Sequence, residues 1–331
     1  MPTSADASSL GEFELIRQFF ASSRCAQSSA GIELGIGDDC ALLALPAGEQ
    51  LAVSTDTLVA GVHFPDDADA FLLAQRGLAA AASDLAAMGA APLGFTLALT
   101  LPVADPDWLK AFAAGLDQMA RLCGLALVGG DTTRGPLSMT FTVMGHVPAG
   151  QALTRSAAKA GDLLCVGGSL GDAAAALPLV LGQASAAPDI AQCLLARYWT
   201  PQPQLALGVA LRGKATAALD ISDGLLADAT HMATASAVAL HIELDRLPMA
   251  EASVALLGAR RAQECALIGG DDYRLVFSLP AGELQGLQAK WPQVTVIGRV
   301  LHGAGVQVFD AQGQLVSPPS KGYQHFGSAH G

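Results

Sequence analysis

Leu51-Ala-Val-Ser-Thr-Asp-Thr-Leu-Val-Ala-Gly-Val-His-Phe64 sets a hydroxyl and carboxylate cluster, Ser54-Thr55-Asp56-Thr57, between two apolar segments that read as buried strand. A core strand that runs into polar groups must find partners for them, because an unpaired buried carboxylate is costly or takes up a proton. Alone, Asp56 reads equally well as a turn residue. The reading turns on whether other carboxylates converge on it.

They recur along the chain at comparable places. Gly35-Ile-Gly-Asp-Asp39 puts two acids after a glycine-flanked turn, and adjacent residues of an extended chain point to opposite sides, so one of Asp38 and Asp39 faces any site. Phe71 to Met88 reads as a helix apolar nearly all round, with Ser83-Asp84 inside it. Leu125 to Val128 reads as a short buried strand ending in a glycine turn, Gly129-Gly130-Asp131-Thr132-Thr133-Arg134. Two glycines let backbone N–H groups approach a phosphate closely, although no Gly-Lys-Ser/Thr follows as in a Walker loop. Ala218-Leu219-Asp220-Ile221-Ser222-Asp223-Gly224 repeats the opening logic, an apolar strand running into acids and a hydroxyl. Ala266 to Tyr273, with Gly269-Gly270-Asp271-Asp272, echoes Leu125 to Thr132.

Between the acidic motifs, the apolar spacing predicts helices over 11–20, 105–123, 204–212 and 225–235, and strands over 95–101, 138–147, 163–166 and 238–244. Tyr198-Trp-Thr-Pro-Gln-Pro203 reads as a rigid extended connection. His231 and His241 read as structural residues of a helix and a strand. Small and polar residues from Pro148 to Asp162 mark a boundary, giving an N-terminal domain over 1–149 and a C-terminal domain over 150–331. Arg155 lies in that segment with no nearby acid in sequence, which leaves it available to a phosphate or to solvent.

The chain of 331 residues is 51% hydrophobic and 15% charged, a composition that buries a sizeable core and leaves little room for extended disorder. A net charge of −12 argues against nucleic acid or an anionic membrane as partner. An anionic substrate therefore needs a cation, and carboxylate and hydroxyl oxygens suit magnesium better than zinc. The six cysteines form no Cys-x-x-Cys pair and read as reduced core residues. No basic segment is followed by an apolar one near Met1, and the expected compartment is the cytoplasm.

Taken in order, Gly35-Ile-Gly-Asp-Asp39, Ser54 to Phe64, Ser83-Asp-Leu-Ala-Ala-Met-Gly89, Gly129-Gly-Asp-Thr-Thr133, Leu153-Thr-Arg-Ser156, Asp220-Ile-Ser-Asp-Gly-Leu225 and Gly269-Gly-Asp-Asp-Tyr273 closely resemble the thiamine-monophosphate kinase family. That family lies in the aminoimidazole-ribonucleotide-synthetase-like, or PurM-like, superfamily. The resemblance implies a two-domain α/β (α+β) fold, with an N-terminal mixed or antiparallel sheet domain that pairs in a homodimer and a C-terminal α/β domain. It implies ATP-dependent phosphorylation of thiamine monophosphate to thiamine diphosphate with several Mg2+ ions. Carried over by position, Asp39, Ser54, Thr55, Asp56, Asp84, Asp131, Asp220 and Asp223 would hold magnesium, with Asp56, Asp131 and Arg155 central to catalysis. Gly130, Asp131, Arg155 and Ser222 would meet ATP, while His63, Asp271 and Tyr323 or Phe326 would face thiamine.

One departure stands out: the family usually carries Gly-Gly-Glu-Asp-Tyr-Glu where this chain has Gly269-Gly-Asp-Asp-Tyr-Arg274. Asp271 is a methylene shorter and Arg274 reverses a charge. The competing readings are a non-catalytic nucleotide or thiamine-phosphate binding protein, and another ATP-using relative such as a selenophosphate synthetase or a hydrogenase-maturation factor. Those enzymes lead one to expect a reactive terminal cysteine, a context that neither Cys25 nor Cys265 has.

Overall fold

The computed structural model describes residues 12–27 and 29–317. The chain forms two compact units. The first reaches to Ala47 and adds Val53–Ala81 and Pro92–Met144; the second holds Gly48–Ala52, Ala82–Ala91 and the chain from Gly145 onward.

The N-terminal half runs α1 (Glu12–Leu15), a π-helical turn Ile16–Ala21, β1 (Ile32–Leu34), β2 (Leu42–Leu43), β3 (Glu49–Val59), α2 (Ala70–Ala87), β4 (Ala91–Leu101), α3 (Pro106–Cys123), β5 (Ala126–Arg134) and β6 (Ser138–Pro148). Four strands form a sheet in the order β3-β6-β4-β5, and β4 and β5 run parallel. Asp105 caps α3 by accepting the N–H of Asp107, with Pro106 at the first helical position, and Gly124 closes the helix in the left-handed conformation. Large side chains fill the core beneath: Leu73 and Leu78 of α2, Phe112 and Met119 of α3, Phe95 of β4 and Phe141 of β6 are fully buried. At roughly 25 cal/mol per Å2 of apolar surface, each such side chain contributes about 1.5–3 kcal/mol.

The second unit continues with β7 (Leu163–Val166), α4 (Asp172–Val180), α5 (Pro188–Trp199), α6 (Leu205–Leu211), β8 (Ala217–Asp220), α7 (Leu225–Ser236), β9 (Ala239–Glu243), α8 (Glu251–Leu257), α9 (Ala259–Ile268), β10 (Leu275–Leu279), α10 (Leu284–Gln288), β11 (Thr295–Leu301), β12 (Gly305–Phe309) and β13 (Leu315–Val316). Its seven-stranded sheet has the order β13-β12-β9-β11-β7-β10-β8. Pairing is antiparallel except between β12 and β9. Alternation along the strands splits two cores across the sheet. Leu164, Val166 and Val276 pack with α7 and α9, whereas Cys165, Leu275 and Phe277 pack with α6 and α10. Because both faces are covered, β10 is buried at every position, and its sequence Leu-Val-Phe-Ser-Leu reads as a nearly continuous apolar run.

Three local expectations are corrected. The quoted opening stretch is no buried strand with a polar end: β3 is an edge strand of 11 residues, exposed at Leu51, Val53, Thr55 and Thr57 and half-buried at Ala52, Ser54 and Asp56. The glycine turn after Val128 is instead the continuation of β5, with an irregularity opposite Phe95 and Thr96 that absorbs one residue. Tyr198 and Trp199 end α5 rather than beginning an extended link, and Leu194 and Tyr198 bury one helical face against α4.

Candidate functional site

In the first unit the expected residues divide between the two sides and the two edges of one sheet. Ser54 and Asp56 share a face of β3, while Thr55 and Thr57 project from the other. On that other face Thr55 Oγ1 lies 3.0 Å from Thr142 Oγ1 and Thr57 Oγ1 lies 2.9 Å from Thr140 Oγ1. Ser54 and Asp56 also have partners of their own. His63 closes the turn after the strand, its Nδ1 accepting the Val59 N–H at 3.0 Å.

At the opposite edge, β5 forms one wall of a cavity of about 500 Å3. Ile16, Phe20, Ile36, Leu97 and Leu127 make an apolar lining, and Asp38, Asp39, Gly130 and Asp131 supply its polar part. The cavity has the size and mixed character of a small-molecule site. Gly130 is obligatory there: a Cβ would lie 2.1 Å from the carbonyl oxygen of Leu97. The N–H of Asp39 donates to Asp38 Oδ1 at 2.8 Å, so the adjacent acids form a local turn and both stay exposed. Asp39, Gly130 and Asp131 are thus brought together, whereas β6 and β4 stand between β5 and the strand that bears Asp56. Asp84 is half-buried in α2.

Among the described residues, no group of three or more His, Cys, Asp or Glu side chains could hold a metal ion unaided. Magnesium is usually carried by one or two carboxylates plus substrate phosphates, not by an all-protein cage. Asp39 and Asp131 are hard oxygen donors of that kind at one cavity.

The second unit joins two motifs that lie far apart in sequence. Pairing of β8 with β10 continues past the strand ends: the Ile221 N–H donates to Arg274 O, Tyr273 N–H to Ile221 O and Asp271 N–H to Ser222 O, each at 2.8 Å. Gly270 permits this approach, since a Cβ there would sit 2.4 Å from Ser222 O. Asp271 and Tyr273 both adopt left-handed backbone, at φ 67° and 49°, which is uncommon outside glycine and costs of order 1–3 kcal/mol each. The Tyr273 hydroxyl donates to Asp271 Oδ1 at 3.1 Å. Asp220, Ser222, Asp223 and Asp271 therefore belong to one cluster of loops. Arg155 sits on a nearby exposed turn, held where Ala218 N–H donates to Thr154 O at 3.0 Å and Ser236 Oγ to Arg155 O at 2.8 Å.

Buried acids support these loops: Asp272 from within a motif, and Asp228 and Asp172 from outside the candidate set. Asp228 Oδ2 accepts the N–H groups of Ser222 and Asp223, both at 3.1 Å, and burial pushes its carboxyl up to about 7. Asp272 accepts Gly171 N–H at 2.7 Å, and burial pushes it up to about 8. Asp172 receives the hydroxyls of Ser169 at 2.5 Å and Ser253 at 2.7 Å, with Arg197 Nε at 3.7 Å. Arg274 lies within electrostatic reach of Asp172 and Asp272, and burial together with Arg197 lowers its proton affinity. The sequence signal for Asp228 was an acid between the apolar positions Leu225, Leu226 and Ala229 of a helix. Tyr323 and Phe326 lie outside the described residues.

The comparisons with known proteins run through both units. Residues 37–147 match the model of AIR synthase related protein, N-terminal domain, and residues 159–311 match AIR synthase related protein, C-terminal domain. The thiamine-monophosphate kinase of Salmonella typhimurium is 43% identical over 321 residues, covering 96% of this chain and 98% of that one. The crystal structure of thiamine-monophosphate kinase from Stenotrophomonas maltophilia K279a is 46% identical at a TM-score of 0.83, covering 93% of this chain and 98% of that one. A structure of AaThiL complexed with AMPPCP and TMP is 29% identical at a TM-score of 0.76, covering 86% of this chain and 89% of that one. With its two α/β domains matched in order and its motifs in place, the chain belongs to the AIR synthase related proteins, and within them to the thiamine-monophosphate kinase family.

Proposed function

We propose that the protein transfers the γ-phosphoryl group of ATP to the phosphate of thiamine monophosphate, releasing ADP and thiamine diphosphate. The observation that carries this reading is 43% identity over 96% of the chain to a thiamine-monophosphate kinase, of which the match covers 98%. The AaThiL complex with AMPPCP and TMP adds a related fold holding both kinds of ligand.

The cavity beside β5 suits ATP. Its apolar lining of Ile16, Phe20, Leu97 and Leu127 offers a surface to a base, and Gly130 leaves room for close backbone approach. The proposed magnesium-holding residues are Asp39 and Asp131 at that cavity and Ser54, Thr55 and Asp56 on β3 in the first unit, and Asp84, Asp220 and Asp223 in the second. Bound magnesium would neutralise phosphate charge. Ser222 and Arg155 are the nucleotide contacts of the second unit, and Asp271 and His63 the thiamine contacts, with Tyr323 or Phe326.

The acceptor is a phosphate oxygen already largely ionised near neutral pH, its second pKa being about 6, so the chain need provide no strong general base. Its task is to align two mutually repelling phosphates and offset their charge. Arg155 does this as a fixed guanidinium. Transfer is direct and in line: the acceptor oxygen bonds to the γ-phosphorus as the bond to the β-phosphate oxygen breaks, with no phosphoenzyme.

A homodimer and a cytoplasmic location belong to the same proposal. The edge strand β3 exposes Leu51 at 47% and Val53 at 55%, an unpaired apolar edge that a second copy would cover. All six cysteines are free thiols, and no helix among the described residues is long and apolar enough to cross a membrane. The functional division at 149/150 is likewise proposed, in keeping with matches that end at 147 and resume at 159. Incubation with ATP, magnesium and thiamine monophosphate, followed by chromatography for thiamine diphosphate, tests the reaction.

A further inference from the structure

The loop Asp220-Ile221-Ser222-Asp223-Gly224 is clamped from two sides. On one side lie the backbone bonds from Asp271 to Ser222 and from Tyr273 to Ile221. On the other lies a single buried carboxylate, Asp228, 4% exposed in the first turn of α7. One oxygen of that carboxylate accepts two successive N–H groups, those of Ser222 and Asp223. The Asp228 N–H donates in turn to Gly224 O at 3.0 Å, so the residue that holds the loop is itself fixed by the helix start.

Asp228 does not face the solvent side of the loop, where Ser222 is exposed and Asp223 half-exposed. It packs among Leu225, Leu226 and Ala229, which belong to the core under the sheet. A carboxylate is an expensive group to bury there, and the two amides it satisfies would otherwise be stranded. An alanine would serve an ordinary amphipathic helix better. The burial makes sense if the loop's shape matters more than local stability.

We infer that Asp228 is a positioning residue for the proposed phosphoryl transfer: by fixing the Ser222 and Asp223 amides inward, it holds the Ser222 and Asp223 side chains in the orientation that meets the nucleotide and its magnesium. The inference rests on the kinase reading of this site. Its chemistry requires an acceptor oxygen at this point, not a charge. Because one oxygen takes both N–H groups, asparagine supplies the same acceptor and alanine supplies none.

The test compares wild type, Asp228→Ala and Asp228→Asn in two measurements. Hydrogen–deuterium exchange of peptides spanning 220–228, with no ligand present, should be at least tenfold faster in Asp228→Ala at Ser222 and Asp223, while β7 and β10 keep their protection. Asp228→Asn should stay within threefold of wild type. In the kinase assay the magnesium concentration at half-maximal rate should rise at least tenfold in Asp228→Ala and return to within threefold in Asp228→Asn. Unchanged local exchange and magnesium dependence in a folded Asp228→Ala overturn the positioning role, as does an Asp228→Asn variant impaired like the alanine. Should the alanine variant not fold, Asp228→Asn decides alone: near-wild-type values uphold the acceptor role and a tenfold change overturns it. A wild-type protein that makes no thiamine diphosphate overturns the kinase reading itself, an outcome separate from these.

Discussion

The backbone N–H of Asp271 donates to the carbonyl oxygen of Ser222 at 2.8 Å, joining two acidic motifs nearly fifty residues apart into one surface of the second unit. The bond holds Asp271 in left-handed backbone, φ 67°, so this short acid is presented by a strained main chain rather than by a long side chain. Asp271→Gly would relieve that strain while removing the carboxylate. The expected outcome is unchanged or slightly raised thermal stability with at least a tenfold higher KM for thiamine monophosphate. Thermal unfolding and steady-state kinetics check the two halves, and an unchanged KM removes Asp271 from the substrate site.

Arg274 is set among acidic groups of the second unit. Asp172 and Asp272 are both within its electrostatic reach and buried, so a glutamate at 274 would add a third carboxylate to an acidic interior. Arg274→Glu is expected to lower stability by about 3 kcal/mol, in the range for breaking a buried charge arrangement. Chemical denaturation measures this. Adding Asp172→Asn to the variant should recover part of the loss.

Stability should fall with rising pH across the window set by Asp272. Its carboxyl is pushed up to about 8 by burial, from 3.8 in the unfolded chain, so the native state holds a proton that the unfolded state releases between those values. The stabilisation is complete below about pH 4 and lost as pH rises through 8. Asp228, pushed up to about 7, acts with the same sign. Asp272→Asn keeps an acceptor for the Gly171 N–H and removes the titration, so its melting temperature should vary less between pH 5 and 8 than that of wild type.

Gly130→Ala tests the tight approach of β5 to β4. The added Cβ would meet Leu97 O at 2.1 Å, and strand backbone cannot swing aside as a side chain can. A loss of about 1–3 kcal/mol is expected, the range for overpacking, together with a raised KM for ATP. Wild-type stability with an unchanged KM would show that the strand yields freely there.

Much of this architecture was legible because burial writes itself into apolar spacing. Helices such as Pro106–Cys123 and Leu225–Ser236 carry their spacing and end signals locally, and β10 shows its double-sided burial as an unbroken apolar run. Two of the failures share one cause. Whether β3 is a central or an edge strand depends on strand order, which Leu51 to Phe64 does not encode; its alternation fits a strand with one face half-open. Gly129-Gly130 looked like a phosphate turn because glycines permit one, and the parallel partner β4 drew them into a strand. The end of α5 is a local matter instead: Ile190, Leu194 and Tyr198 keep four-residue spacing up to Trp199, and Pro201 and Pro203 act only beyond it. For the site, motif residues, Asp272 and Arg274 among them, were visible as types in order, but the buried support from Asp228 and Asp172 was not. Their burial is a tertiary fact, set by what packs around α7 and α4.

The central claim is the transfer of phosphate from ATP to thiamine monophosphate, and its most direct measurement is product formation by wild type beside Asp56→Asn. Each purified protein is mixed with ATP, magnesium and thiamine monophosphate, and thiamine diphosphate is followed with time after far-ultraviolet circular dichroism has shown both to be folded. Wild type should turn over many times, and Asp56→Asn should be at least a hundredfold slower, since the amide cannot replace a carboxylate that balances phosphate-bound cations. Thiamine diphosphate no higher than in a protein-free control would contradict the account.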